Sequence, residues 1–214
     1  KVVTTMEDMS GKILDQVSNP LGFRWFRFDP QTGFHLNGKH YKLIGSNRHQ
    51  DYPGHGFALK DHMHRQDMKM LKEMGINFLR VSHYPQDPDV LEMCDRYGFI
   101  AIEEIPFINE ITLTDAFMEN SKRMLREMIR RDYNHPSIVA WNTSNETSLR
   151  LDSKKNELSE EKYETYVTQL RKDLAGLDQV VKEEDTTRYS MTVHCCGLER
   201  NVERGLHQAD IIGY

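Results

Sequence analysis

The chain has 214 residues, 28 basic and 33 acidic, for a formal charge of −5, and 38% of it is hydrophobic. Numerous, periodic apolar residues exclude a disordered chain, and an acidic balance with no Lys/Arg stripe disfavours a nucleic-acid binder. No apolar run approaches the ~20 residues that span a bilayer, and three cysteines, Cys94, Cys195 and Cys196, can make neither a disulfide framework nor a CxxC zinc site.

The first thirty residues read as β material. Lys12 to Val17 and Phe23 to Phe28 mix apolar and polar residues around the turn Ser18-Asn19-Pro20, and Gly33 and Asn37-Gly38 mark two more turns. From about residue 41 the pattern becomes strand, loop, helix, repeated. Tyr41 to Gly45 reads as the first strand. Asp61 to Met74 reads as a helix with Met63, Met70, Leu71 and Met74 inward, stopped by Gly75.

Ile76 to Val81 is the second strand. A helix follows, with Asp87 as N-cap, Pro88 at its first position and Gly98 after its end. Phe99 to Ile102 is the third strand and Asp115 to Asp132 the third helix, carrying Phe117, Met124, Leu125 and Met128 inward. On that helix Lys122, Arg123, Arg126, Arg130 and Arg131 are interleaved with Glu119, Glu127 and Asp132, which predicts a solvated face. Ile138 to Trp141 is the fourth strand, and Leu151 to Ser159 a polar connection. Tyr163 to Leu177 has helical spacing, Tyr189 to Val193 is a fifth strand, and Ala209 to Gly213 begins a sixth.

Alternating short strands and amphipathic helices predict an α/β fold with parallel strands, either a doubly wound sheet or a (β/α)8 barrel. No G-x-G-x-x-G follows the first strand, so the barrel is favoured. Barrel sites form at the carboxyl ends of strands. There the sequence places Asn47 to Asp51, then Arg80, Ser82, His83 and Tyr84, then Glu103 and Glu104, then Asn142, Ser144, Asn145 and Glu146, then His194. Such a ring suits a polar, hydroxyl-rich ligand. Glu103 and Glu104 are neighbours on a strand and must face opposite ways, so one of them is structural. Glu146 is the leading candidate for acid/base work, because partial burial beside Trp141 and an amide would let a carboxyl hold a proton near neutral pH. A metal hydrolase using His49 and His83 lacks a close-spaced ligand pair.

Five motifs in order, Asn37-Gly38-Lys39 through Asn47-Arg48-His49-Gln50-Asp51, Arg80-Val81-Ser82-His83-Tyr84-Pro85, Cys94-Asp95-Arg96-Tyr97-Gly98, Arg131 through Ser137, and Trp141 through Glu146, resemble glycoside hydrolase family 2. This family holds β-galactosidases, β-glucuronidases and β-mannosidases. The resemblance implies a truncated (β/α)8 TIM barrel over residues 31–214. It also implies that residues 1–30, including Gly22-Phe23-Arg24, end a preceding immunoglobulin-like β-sandwich domain. It implies a retaining glycosidase with Glu146 as acid/base, Asn145 on the sugar 2-hydroxyl, and His49, Arg80 and His83 in or near the sugar site.

The family's nucleophile, a Glu at the end of the seventh strand, is expected beyond Tyr214, leaving this stretch inactive alone. The metal-dependent β-galactosidases of the family carry a Glu and a His shortly after the third strand; Ile105 to Glu110 has no His there, so no metal and no cofactor are expected. The expected partner is a glycoside or oligosaccharide, with no nucleic acid and no membrane, in a homo-oligomeric whole protein. The Arg48-His49-Gln50-Asp51 run leans towards β-galactosides, with β-glucuronidase specificity or a non-catalytic carbohydrate-binding barrel as alternatives.

Overall fold

The structure, a computed structural model, describes residues 1–195 and 197–214; Cys196 lies outside the described residues. Its centre is a curled six-stranded parallel sheet whose strands follow chain order from one edge to the other.

Two antiparallel pieces precede that sheet. β1 (Val2–Glu7) and β2 (Ile13–Asn19) form a two-stranded ribbon. β3 (Phe26–Asp29), β4 (Gly33–Leu36) and β5 (Lys39–His40) form a three-stranded meander. The parallel sheet then begins with β6 (Gly45–Arg48), later than the expected Tyr41–Gly45. Tyr41 and Leu43 pack instead into the apolar plug at the amino end of the sheet, and pairing starts where backbones can close up. Gly45 permits that start: a Cβ there would lie 2.4 Å from the Phe78 carbonyl oxygen.

Next come α1 (Asp61–Glu73), β7 (Phe78–Val81), α2 (Pro88–Tyr97), β8 (Ile100–Glu104) and α3 (Asp115–Asp132). The predicted caps form. Asp87 accepts from the Asp89 N–H at 2.9 Å, and Gly98 ends α2 at φ 72°, where only glycine is unstrained. The inward face of α1 is a correction. His64 and Met68 are buried, whereas Met70 and Met74 are exposed, because the helix turns its polar His64 and Asp67 towards the Arg48 side chain. The mixed-charge face of α3 is solvated as expected at Arg123, which pairs with Glu127, and at Arg130, which pairs with Glu184; its end is a correction, because Asp132 is buried and Arg131 reaches the buried Glu103 under the helix.

β9 (Ile138–Asn145) runs four residues past the expected end. Its polar half is fully buried and hydrogen-bonded across the sheet, as in the Thr143 hydroxyl donating to the Met191 carbonyl at 3.0 Å. The polar stretch after it folds as a short helix, α4 (Leu151–Glu157), anchored by buried Leu151. Then follow α5 (Glu160–Glu184), capped by Ser159, β10 (Tyr189–Val193), α6 (Leu198–Glu203) and β11 (Ile211–Gly213).

Strand alternation divides the apolar residues into two cores. Leu79, Val81, Ala101, Ile138 and Trp141 face the helices. Ile100, Ile102, Val139, Ala140, Met191 and Val193 face the concave side, where Phe34 of the meander plugs the amino end with Phe26 and Phe28 packed against it. Burial of this plug leaves the carboxyl ends of the strands as the place for polar groups. No described helix is long and apolar enough to cross a membrane.

Candidate active site

The pairing registers bring the polar strand ends level with one another. Asn47 of β6 pairs with Arg80 of β7, and Glu104 of β8 with Asn142 of β9. Alternation then aims Arg80, Glu104 and Asn142 at the concave side, above the apolar residues Ile100 and Ile102 of the same face.

Glu104 is the hub. It is 1% exposed, and both its oxygens are in use. Oε2 accepts from Arg80 Nη2 at 2.9 Å and Nε at 3.2 Å, and from the Asn142 amide nitrogen. Oε1 accepts from His83 Nδ1 at 2.5 Å. Arg80 Nη2 also donates to Asn145 Oδ1 at 2.7 Å. The imidazole of exposed His49 stands edge-on to that of His83, ring centroids 4.9 Å apart. Four of the five predicted site residues, Arg80, His83, Asn145 and His49, therefore meet in one contiguous cluster. Glu104, a strand-exit residue to which sequence alone assigns no role, joins them. The signal for it was the i, i+2, i+4 alternation Ile100, Ile102, Glu104.

Glu146, the fifth, follows β9 directly. Its backbone is left-handed, φ 54°, an uncommon conformation for a residue with a Cβ and one that gathers at functional sites. The neighbouring strand holds it there, its N–H donating to the Val193 carbonyl at 2.8 Å. The Glu146 side chain is half-buried, and its carboxyl makes no hydrogen bond or ion pair among the described residues. The loop after β8 pairs with Asn145 from the other side: Asn145 N–H donates to Phe107 O at 3.0 Å, and Asn109 N–H to Asn145 O at 2.9 Å.

Arg48 lies elsewhere. It pairs with Val81, whose side chain faces the helices, and its guanidinium is buried among Gln86 at 2.5 Å, Asp67 at 2.7 Å and His64 at 3.1 Å. Burial, and then the Arg48 charge, push the His64 imidazole below its ordinary value, which keeps it neutral beside that cation. His194, at the exit of β10, is buried and donates from Nε2 to the Leu206 carbonyl, 2.6 Å away. Among the described residues no three His, Cys, Asp or Glu side chains are grouped to hold a metal ion.

A concave, polar cluster at the carboxyl ends of parallel strands lies where ligand sites of parallel α/β barrels form. The sequence model described as "Glycosyl hydrolases family 2, TIM barrel domain" matches residues 30–208. The chain belongs to glycosyl hydrolase family 2.

Relatives and solved structures agree with this family 2 assignment. A β-glucuronidase of Bacteroides fragilis is 43% identical over 143 residues, covering 64% of this chain and 21% of that protein. A β-galactosidase of Thermoanaerobacterium thermosulfurigenes is 44% identical over 128 residues, 59% of this chain and 18% of that protein. The structure of Bacteroides uniformis β-glucuronidase 2 covalently bound to cyclophellitol-6-carboxylate aziridine superposes with a TM-score of 0.91. It is 44% identical and covers 98% of this chain and 25% of that one. This chain thus spans about a fifth of the length of the curated relatives it matches.

Proposed function

We propose that the whole protein is a retaining β-glycosidase in which Glu146 is the acid/base and Asn145 binds the sugar 2-hydroxyl. Arg80, His83 and His49 form the adjoining wall of the sugar site. Glu146 protonates the departing glycosidic oxygen, a second carboxylate attacks the anomeric carbon, and Glu146 then deprotonates the water that releases the sugar. The observation that carries this reading is the Glu146 carboxyl, unpaired and half-buried at the exit of β9.

Glu104 does not serve as the nucleophile, since Arg80, His83 and Asn142 occupy both its oxygens. The second carboxylate, ~5–5.5 Å from the first in retaining enzymes, comes from a later strand of the whole protein that closes the barrel between β11 and β6. The β1–β2 ribbon, apolar yet exposed at Val2, Val3, Met6, Ile13, Leu14 and Val17, supports reading residues 1–30 as the end of a preceding immunoglobulin-like domain. The barrel portion then runs over residues 31–214, with β3 of the stretch before it already paired to β4 and packed into the plug.

The sugar is a β-glucuronide or a β-galactoside, the activities named for the relatives. The lean towards galactosides rested on the Arg48–Asp51 run, and Arg48 is turned to the helices. A β-glucuronide is the first reading, supported by the carboxylate-bearing inhibitor named for the Bacteroides uniformis enzyme. The decisive experiment is Glu146→Gln in the complete protein, assayed on an alkyl and on a 2,4-dinitrophenyl β-glycoside of each sugar. Loss of general acid catalysis costs about 10²–10⁴-fold on the alkyl substrate. The dinitrophenyl leaving group needs no proton, and glycosylation should persist. Undiminished hydrolysis of the alkyl glycoside would overturn the assignment.

A further inference from the structure

We propose that Glu104 is a positioning residue for glycoside cleavage: through Arg80 it fixes the Asn145 amide with its nitrogen turned to the sugar. The proposal rests on the reading of Asn145 given above and adds the device that orients it. An asparagine amide has two nearly isosteric orientations, one presenting oxygen and the other two N–H donors. A guanidinium only donates, so Arg80 Nη2, 2.7 Å away, selects the orientation with Oδ1 towards itself. Nδ2 is thereby turned away from Arg80, and it makes no hydrogen bond among the described residues. Both backbone groups of Asn145 are already held, the N–H by the Phe107 carbonyl and the carbonyl by the Asn109 N–H, so side-chain orientation is the remaining freedom.

Arg80 is in turn held by Glu104. Two of its nitrogens converge on Oε2, a charge-assisted contact that fixes the guanidinium plane. His83 on Oε1 and Asn142 on Oε2 keep the carboxyl itself from rotating. The Asn142 amide is oriented towards Glu104 at the cost of leaving its own Oδ1 buried without a partner among the described residues. A carboxyl so constrained acts at one remove. It sets Arg80, Arg80 sets the amide, and the amide presents donors to a sugar hydroxyl oxygen.

The test uses the complete protein and two substrates, the 4-nitrophenyl glycoside that it cleaves and the 2-deoxy analogue. Glu104→Gln leaves the pocket volume but replaces one acceptor oxygen with a donor. It should lower kcat/KM on the 4-nitrophenyl glycoside about 100-fold, the loss seen when one preorganised donor is removed, and on the 2-deoxy analogue by less than ~3-fold. Arg80→Lys, which keeps the charge and loses the fork, should lose more on the 4-nitrophenyl glycoside than on the 2-deoxy analogue while lowering both, and it carries the test should Glu104→Gln fail to fold. Asn145→Ala is the reference. Glu104→Gln added to it should cost little more, because the two act through one contact. Equal losses on both substrates for Glu104→Gln and Arg80→Lys, with Asn145→Ala still selective, would sink the relay alone. Loss of selectivity in Asn145→Ala itself would instead sink the sugar contact on which the relay rests.

Discussion

Glu103 and Glu104 are neighbours of one residue type, both almost fully buried, and they live in opposite worlds. Glu104 faces the concave side and collects Arg80, His83 and Asn142. Glu103 faces the helix layer, where Arg131 of α3 reaches Oε1 at 3.2 Å and Oε2 has no hydrogen-bond partner among the described residues. Burial, and then the negative Asp132 beside it, push the Glu103 carboxyl well above its ordinary value, with Arg131 pulling weakly the other way. One step along a strand thus separates a carboxyl built into a site from one buried for packing. The difference lies in the donors that each face supplies.

The sharpest way to break this distinction is to remove each carboxyl in turn. Glu104→Leu strips a buried charge partner from Arg80, whose side chain is only 14% exposed. Breaking a buried pair on one side costs about 3–5 kcal/mol. Glu103→Leu leaves Arg131, 41% exposed and still paired with Asp132, able to turn to water. Its cost should stay near ~1 kcal/mol. The shift of the urea midpoint in each variant measures this, and equal shifts would erase the contrast between the two carboxyls.

Much of this was legible in the sequence, for a physical reason. The period of two put Glu103 and Glu104 on opposite faces, and the strand exits of Arg80, His83, Asn145 and Glu146 followed from apolar runs ending in polar residues. What escaped was set by long-range pairing. β9 extends through Asn142 to Asn145 because those polar groups are satisfied by neighbouring strands, which no local pattern reveals. α1 turns His64 and Asp67 inward, against its Met70 and Met74, because Arg48 arrives from β6 needing acceptors. The first strand was read four residues early, since Tyr41 and Leu43 are as apolar as a strand but serve the plug. Glu104 was visible as a residue, but its role depends on Arg80, His83 and Asn142 converging from two other strands.

A smaller effect tests the pairing that sets Arg80 against Glu104. Gly45 starts β6 against Phe78, and Arg80 lies two residues along β7. In Gly45→Ala the new methyl meets the Phe78 carbonyl at 2.4 Å, backbone that cannot step aside as a side-chain tip can. Overpacking of this kind costs about 1–3 kcal/mol. Displacement of β7 should also weaken activity in the complete protein. An unchanged melting temperature would show that the two strands slide freely, and that the register holds Arg80 less firmly than proposed.

The smallest effect concerns Glu103 alone and is read against pH. Its folded carboxyl binds a proton more tightly than the unfolded one, by burial and by Asp132. Above the unfolded carboxylate value of about 4.3, the folded state carries more protons than the unfolded state, so stability falls as pH rises. The full contribution is present below that value and is lost as pH climbs through the raised folded one. The slope from a single group is at most about 1.4 kcal/mol per pH unit. Glu103→Gln cannot ionise and keeps the shape, so its stability relative to wild type should grow with pH across that window and match it at pH 4. Urea midpoints of the two proteins at half-unit steps from pH 4 to 8 measure the difference. Parallel curves would mean that Glu103 is ionised in the folded protein, and that the two faces of the strand treat their carboxyls alike.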